Sequence, residues 1–85
     1  MDEAELEQRC IERFGANCRR IRDAKGISLR QLMMESGMNL QHYSKIERGK
    51  LNPTLWSIIR ISRGLAAPVE ELFEGTGLPK SWRPR

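Results

Sequence analysis

An all-α fold is what this 85-residue chain predicts, and three observations carry the expectation. Apolar residues recur three and four apart in the longer stretches, the spacing that lines one face of a helix. Ser28, Asn39 and Thr54 stand just before such stretches, where a side-chain oxygen can accept from the orphaned amides of a first helical turn. Gly26 and Gly37 stand just after two of them, where the chain leaves the helix through a left-handed backbone that is cheap only for glycine.

Taken in order, residues 3 to 24 read as a helix with Leu6, Cys10, Ile11, Phe14, Cys18 and Ile21 near one stripe. Gly15 is a candidate division between an acidic helical extension, residues 1–12, and the domain proper, residues 13–74. Lys25-Gly26 is the stop. Ser28 then caps a second helix, Gly37 is the hinge, and Asn39 caps a third. Two short helices hinged in this way present the second of them to the major groove of DNA. Tyr43 and Ile46, spaced i and i+3, face inward with Leu32, which leaves Leu40, Gln41, His42, Ser44 and Lys45 pointing away from the core. An amide, an imidazole, a hydroxyl, an ammonium and one apolar group on one face can bind base edges, phosphate or a thymine methyl, whereas an ordinary solvated face is richer in Glu and Lys. Leu40 either touches such a methyl or packs on the hinge. Leu51 to Pro53 form a loop, and Thr54 caps a fourth helix expected to bury Leu55, Ile58, Ile59, Ser62 and Leu65. Pro68 suits the first turn of a fifth, with Glu70 and Glu71 near its positive end and Leu72-Phe73 packing back. From Gly75 onward the composition, with two Gly, two Pro and three basic residues, predicts a flexible basic tail, residues 75–85, that carries Trp82.

Length and charge bound the function independently. A chain of this size is one small domain that buries about 60% of its unfolded surface, enough for a helical core and too little for an enzyme cleft set in a second domain. The net charge of +4 hides an asymmetry. Residues 13 to 63 carry eleven Lys and Arg against Asp23, Glu35 and Glu47, a net +8, while residues 1 to 12 carry five acids against Arg9. Such a basic field attracts polyanions and supplies the non-specific part of nucleic-acid affinity. Cys10 and Cys18, eight apart on one helix, are separated by about 12 Å and cannot be bridged. With His42 as the one further ligand candidate, on another face, no metal and no cofactor is expected. Free thiols favour a reducing cytoplasm; no apolar run approaches a membrane span, and the acidic N-terminus is not a signal peptide. Asn52-Pro53-Thr54 is excluded as a glycosylation acceptor by its proline.

Gly26-Ile27-Ser28, Gly37, Ile46-Glu47-Arg48-Gly49, Asn52-Pro53-Thr54 and Leu65 ahead of Val69-Glu70-Glu71-Leu72-Phe73 form an ordered set that resembles the lambda-repressor-like, Cro/CI (XRE) family of helix-turn-helix proteins over roughly residues 13 to 74. The resemblance implies a compact five-helix domain, prokaryotic or phage and nucleoid-associated, that binds double-stranded operator DNA as a two-fold homodimer. It places base reading at Asn39, Leu40, Gln41, His42 and Lys45. Backbone contacts fall at Arg30, Ser44, Arg48, Lys50 and Thr54. It also pairs Arg22 with Glu47 as a structural brace, a transfer the chemistry supports, because Glu47 adjoins inward-facing Ile46 and a guanidinium satisfies both carboxylate oxygens. Three positions depart from the family: Leu29 where Gln is usual, Met33 where Ala is usual, and Ala66 where a helix-ending Gly is common, which puts the shape of the turn before Pro68 in question.

Two functional readings follow. One is a sequence-specific transcriptional regulator, switched by concentration, dimerisation or a partner since no ligand domain is attached. The other is a protein-interaction module or antitoxin-like adaptor that keeps the fold and recruits a protein through Trp56 or the termini. Trp56, just inside the fourth helix, either covers core or anchors such a contact.

Overall fold

The computed structural model describes residues 2–77. Within them lie α1 (Glu3–Lys25), α2 (Leu29–Ser36), α3 (Leu40–Glu47), α4 (Leu55–Leu65) and α5 (Val69–Leu72), with no strand among the described residues. No helix among them is long and apolar enough to cross a membrane. Met1, Trp82 and the tail beyond Gly77 lie outside the described residues.

Local chemistry sets each boundary. The Asp2 carboxylate accepts from the Glu5 amide at 2.8 Å, with Glu3 and Glu5 in the first turn of α1 and Arg22 and Lys25 in its last, so the side-chain charges oppose the helix dipole at both ends. Gly26 closes α1 at φ 66°. Ser28 and Gln31 form a reciprocal capping box at the start of α2, and Gly37 ends it at φ 71°. Asn39 caps α3 and Thr54 caps α4. Pro68 sits one residue ahead of α5 instead of inside its first turn. At the end of α4, Ala66 takes the same left-handed conformation a glycine would, at φ 51°. The turn shape is therefore kept despite the side chain, and Lys25 Nζ holds it by donating to the carbonyls of Leu65 (2.9 Å) and Ala66 (2.7 Å).

Gly15 does not divide α1, which runs unbroken through it. A Cβ there would lie 2.3 Å from the Ile46 carbonyl oxygen and 2.7 Å from that of Glu47, so the missing side chain is what lets α1 reach the end of α3. N-terminal to it the expected stripe thins out: Phe14, Cys18 and Ile21 are buried, Cys10 and Ile11 are half-buried, and Leu6 is exposed. The core is completed by Leu32, Met38, Tyr43, Ile46, Ile61, Leu65, Ala67 and Leu72. Phe73 packs on Phe14 with ring centroids 5.3 Å apart, and Leu29 and Met33, both atypical for the family, pack against this core.

α4 is rotated from the expected face. Ser57, Ile61, Gly64 and Leu65 are buried, Ile58 and Ser62 are half-buried, and Leu55 and Ile59 are exposed. The cause is a close crossing on α2. A Cβ at Gly64 would stand 2.6 Å from Leu32 Cδ1 and 3.1 Å from Ser36 Cβ, so α4 lies close on α2 along its Gly64 side, with Ile61 and Leu65 inside and Leu55 and Ile59 outside.

Candidate nucleic-acid interface

The outward face of α3 begins at its cap. Asn39 is exposed and its Oδ1 accepts from the amides of Gln41 (2.9 Å) and His42 (3.1 Å). Leu40, Gln41, His42 and Lys45 are exposed beyond it, Ser44 is half-buried, and Tyr43 and Ile46 are fully buried on the opposite side with Leu32. The cations expected to contact DNA backbone, Arg30, Arg48 and Lys50, are all exposed. Arg48 turns its Nε back to the Ser44 carbonyl at 3.3 Å and keeps the remaining guanidinium donors outward. Lys50 follows Gly49, whose left-handed backbone (φ 72°) turns the chain off the end of α3. Thr54 is exposed at the foot of α4, but its hydroxyl caps that helix.

Two braces fix α3 against α1, and a third holds the hinge that precedes it. Arg22 and Glu47 form a two-pronged ion pair, with Nε to Oε2 at 3.0 Å and Nη2 to Oε1 at 2.8 Å. Their side chains are only 13% and 10% exposed, and Arg22 Nη1 also donates to the Ile27 carbonyl at 3.1 Å. Burial by itself would raise the Glu47 carboxyl; the Arg22 fork and charge, with the Tyr43 hydroxyl nearby, outweigh burial and hold it below its ordinary 4.5. Burial, and after it the Glu47 carboxylate, push the Tyr43 phenol above its ordinary range. That hydroxyl is buried without a well-formed hydrogen bond. Burial first, then the Glu47 charge, push the Cys18 thiol up to about 12, so it stays neutral and packs as a small apolar residue.

The second brace is the Gly15 approach, and the third is Arg60. From α4 its Nε donates to the Ser36 carbonyl at 2.9 Å and its Nη2 to the Gly37 carbonyl, while its guanidinium lies 6.0 Å from the centre of the Trp56 ring. It thus satisfies the last carbonyls of α2 and the hinge itself, which would otherwise lack partners. Sequence reasoning missed Arg60 and Gly64, and it took Gly15 for a boundary where the structure has a close approach. The two glycines left one usable signal, since each lies inside a helix on the side of its apolar residues, where a missing side chain marks a close approach.

A helix-turn-helix family model matches residues 19–72. An uncharacterized HTH-type transcriptional regulator of Sinorhizobium fredii, y4dJ, is 32% identical over 62 residues, covering 73% of this chain and 80% of that relative. The HTH-type transcriptional regulator SlrR of Bacillus subtilis is 39% identical over 62 residues, 72% of this chain but 41% of SlrR. Among solved structures, the restriction-modification controller protein C.AhdI of Aeromonas hydrophila superposes with a TM-score of 0.70 at 33% identity, over 74% of this chain and 96% of that one.

Proposed function

The chain belongs to the Cro/CI (XRE) helix-turn-helix family of DNA-binding transcriptional regulators, a family without enzymatic activity, and from that premise we propose that it acts as a homodimer on a palindromic operator. The exposed face of α3, with Asn39, Leu40, Gln41, His42 and Lys45, enters the major groove. Arg30, Ser44, Arg48, Lys50 and the start of α4 at Thr54 hold the phosphates on either side, and the Arg22–Glu47 pair orients the helix between them. The observation that carries this reading is the exposed, largely uncommitted face of α3, framed by cations and braced from behind.

A strip on α4 supports the dimer. Leu55, Trp56 and Ile59 are 75%, 56% and 36% exposed, adjoining large apolar side chains that water penalises and a second copy would cover. Two protomers related by a dyad would address half-sites roughly 34 Å apart on one duplex face. Occupied in this way, Trp56 serves the second copy rather than an unrelated protein.

The deciding experiment is selection from random duplex DNA, footprinting of the winner, and the mass of the complex in solution. The expected result is two dyad-related half-sites, two protomers, and log affinity falling steeply with log salt as phosphate-bound counterions are released. Leu55→Glu should retain the melting temperature and lose the two-protomer complex. A monomer on one half-site at every accessible concentration would overturn the dimer, and selection of no sequence would overturn operator binding.

A further inference from the structure

The five side chains on the reading face are not equally available to DNA. Asn39 Oδ1 is held by two amides, those of Gln41 at 2.9 Å and His42 at 3.1 Å. A carboxamide reads adenine by accepting from N6 and donating to N7 together. With its oxygen spent on the helix, Asn39 keeps only its Nδ2 donors. His42 Nε2 lies 3.5 Å from Ser57 Oγ on α4. Ser57 Oγ accepts from Thr54 Oγ1 at 3.0 Å, and Thr54 Oγ1 accepts from the Ser57 amide at 3.1 Å. Thr54 gives its hydroxyl proton to Ser57, whose oxygen also faces His42 Nε2. One ring nitrogen of His42 thus faces α4 and not the groove. Gln41 and Lys45 differ from both: neither side chain has a hydrogen-bond or ion-pair partner among the described residues, and they lie four apart, on one side of α3.

We infer that base identity is read by hydrogen bonds from Gln41 and Lys45, and that Asn39 and His42 are positioning residues, Asn39 fixing the first turn of α3 and His42 tying it to the foot of α4 through Ser57. The inference rests on the operator-binding reading above. An unengaged Gln amide suits the N6/N7 edge of adenine and a Lys ammonium the O6/N7 edge of guanine. The four residues from Gln41 to Lys45 advance about 6 Å along the helix, roughly two base-pair steps. Each half-site therefore has a short core with an adenine and a guanine preference within about two steps, and positions that face Asn39 and His42 carry none.

The test compares base preferences selected from random duplexes by the wild-type protein and by Asn39→Ser, Asn39→Ala, His42→Gln, His42→Ala, Gln41→Ala and Lys45→Ala. Serine caps a helix without supplying an amide, and glutamine can meet the Ser57 hydroxyl in place of the imidazole. Asn39→Ser and His42→Gln should retain the wild-type base preference at every position with affinity within about threefold. Asn39→Ala and His42→Ala should weaken selected and random duplexes by one common factor, about fivefold for loss of a cap. Gln41→Ala and Lys45→Ala should each erase the preference at one position. A changed preferred base in Asn39→Ser or His42→Gln overturns the inference, as does intact preference in Gln41→Ala. Failure of the wild type to select any sequence overturns the operator reading instead. In that case melting still tests the Asn39 role, because Asn39→Ala must lower the transition and Asn39→Ser must not.

Discussion

Replacing Glu47 with alanine removes both oxygens that accept from Arg22 at 2.8 and 3.0 Å. It leaves a guanidinium whose side chain is 13% exposed with the Ile27 carbonyl at 3.1 Å and a distant Asp23 contact at 3.9 Å. Breaking a buried pair by deleting one partner costs about 3–5 kcal/mol, because the other charge stays desolvated, whereas an exposed pair contributes at most about 1 kcal/mol. The burial of both side chains puts this pair in the first class. For a domain of this size each kcal/mol moves the melting temperature by about 4–8 °C, so Glu47→Ala should melt at least about 12 °C below wild type. Arg22→Ala should lose a similar amount, since it strands the carboxylate and the Ile27 carbonyl together. The double variant should lose well under the sum, with a coupling of about 2 kcal/mol. The pH dependence has a fixed sign. Glu47 is held below its ordinary 4.5, so the native state keeps the carboxylate ionised where the unfolded chain has begun to protonate it. The stabilisation is complete above the unfolded value and is lost as pH falls through the depressed native one. Urea denaturation of wild type and Glu47→Gln at pH 7 and at pH 3 measures this directly, and the gap between them should shrink in acid. Operator affinity should also fall in Glu47→Ala, although an anion makes no phosphate contact. Small additive losses from the two single variants, with a gap that does not change with pH, would refute the reasoning.

Gly15→Ala should destabilise the domain by about 1–3 kcal/mol in urea denaturation, because its Cβ meets two backbone oxygens that cannot rotate away; in open space the same change would gain up to about 1 kcal/mol of helix propensity. Ala66→Gly should stabilise by about 1 kcal/mol, relieving a left-handed alanine at φ 51°, and a calorimetric melting temperature unchanged or lowered would contradict it. Arg60→Ala should cost about 1.5–3 kcal/mol by removing charged donors from the Ser36 and Gly37 carbonyls. Arg60→Ala should weaken operator and random duplexes alike in a fluorescence titration, since Arg60 sets the hinge and reads no base.

Features written in neighbouring residues were the most legible. The caps at Ser28, Asn39 and Thr54 and the stops at Gly26 and Gly37 each need only one side chain and the next turn of backbone, so they can be read without knowing the fold. The inward set Leu32, Tyr43 and Ile46 is nearly as local. The face of α4 was not, because Leu55, Ile58, Ile59, Ile61 and Leu65 surround much of the helix and periodicity alone cannot choose a side. Gly64 made the choice by letting α4 sink onto Leu32 and Ser36. At the reading face, the exposed residues follow from helix geometry, but the commitments of Asn39 and His42 do not. His42 meets Ser57, fifteen residues on, and no pattern within α3 announces it.

Four side chains of α1 close the ends of three other helices. Gln8 donates to the Gly49 carbonyl after α3 at 3.2 Å, Lys25 closes α4, and Asn17 donates to the Leu72 and Glu74 carbonyls at the end of α5 at 2.9 and 2.7 Å; Arg22 holds α3 through Glu47. Asn17 lies 55 and 57 residues from its acceptors in the chain. On the ribosome, then, α1 finds its last partners only when α5 is made. At about 5–20 residues per second, the stretch from α1 to α5 takes roughly 2–10 s to emerge, and Phe14 spends that interval without the Phe73 ring it packs on. Until α5 arrives, the face of α1 around Phe14 and Asn17 stays open to chaperones and to sticky encounters.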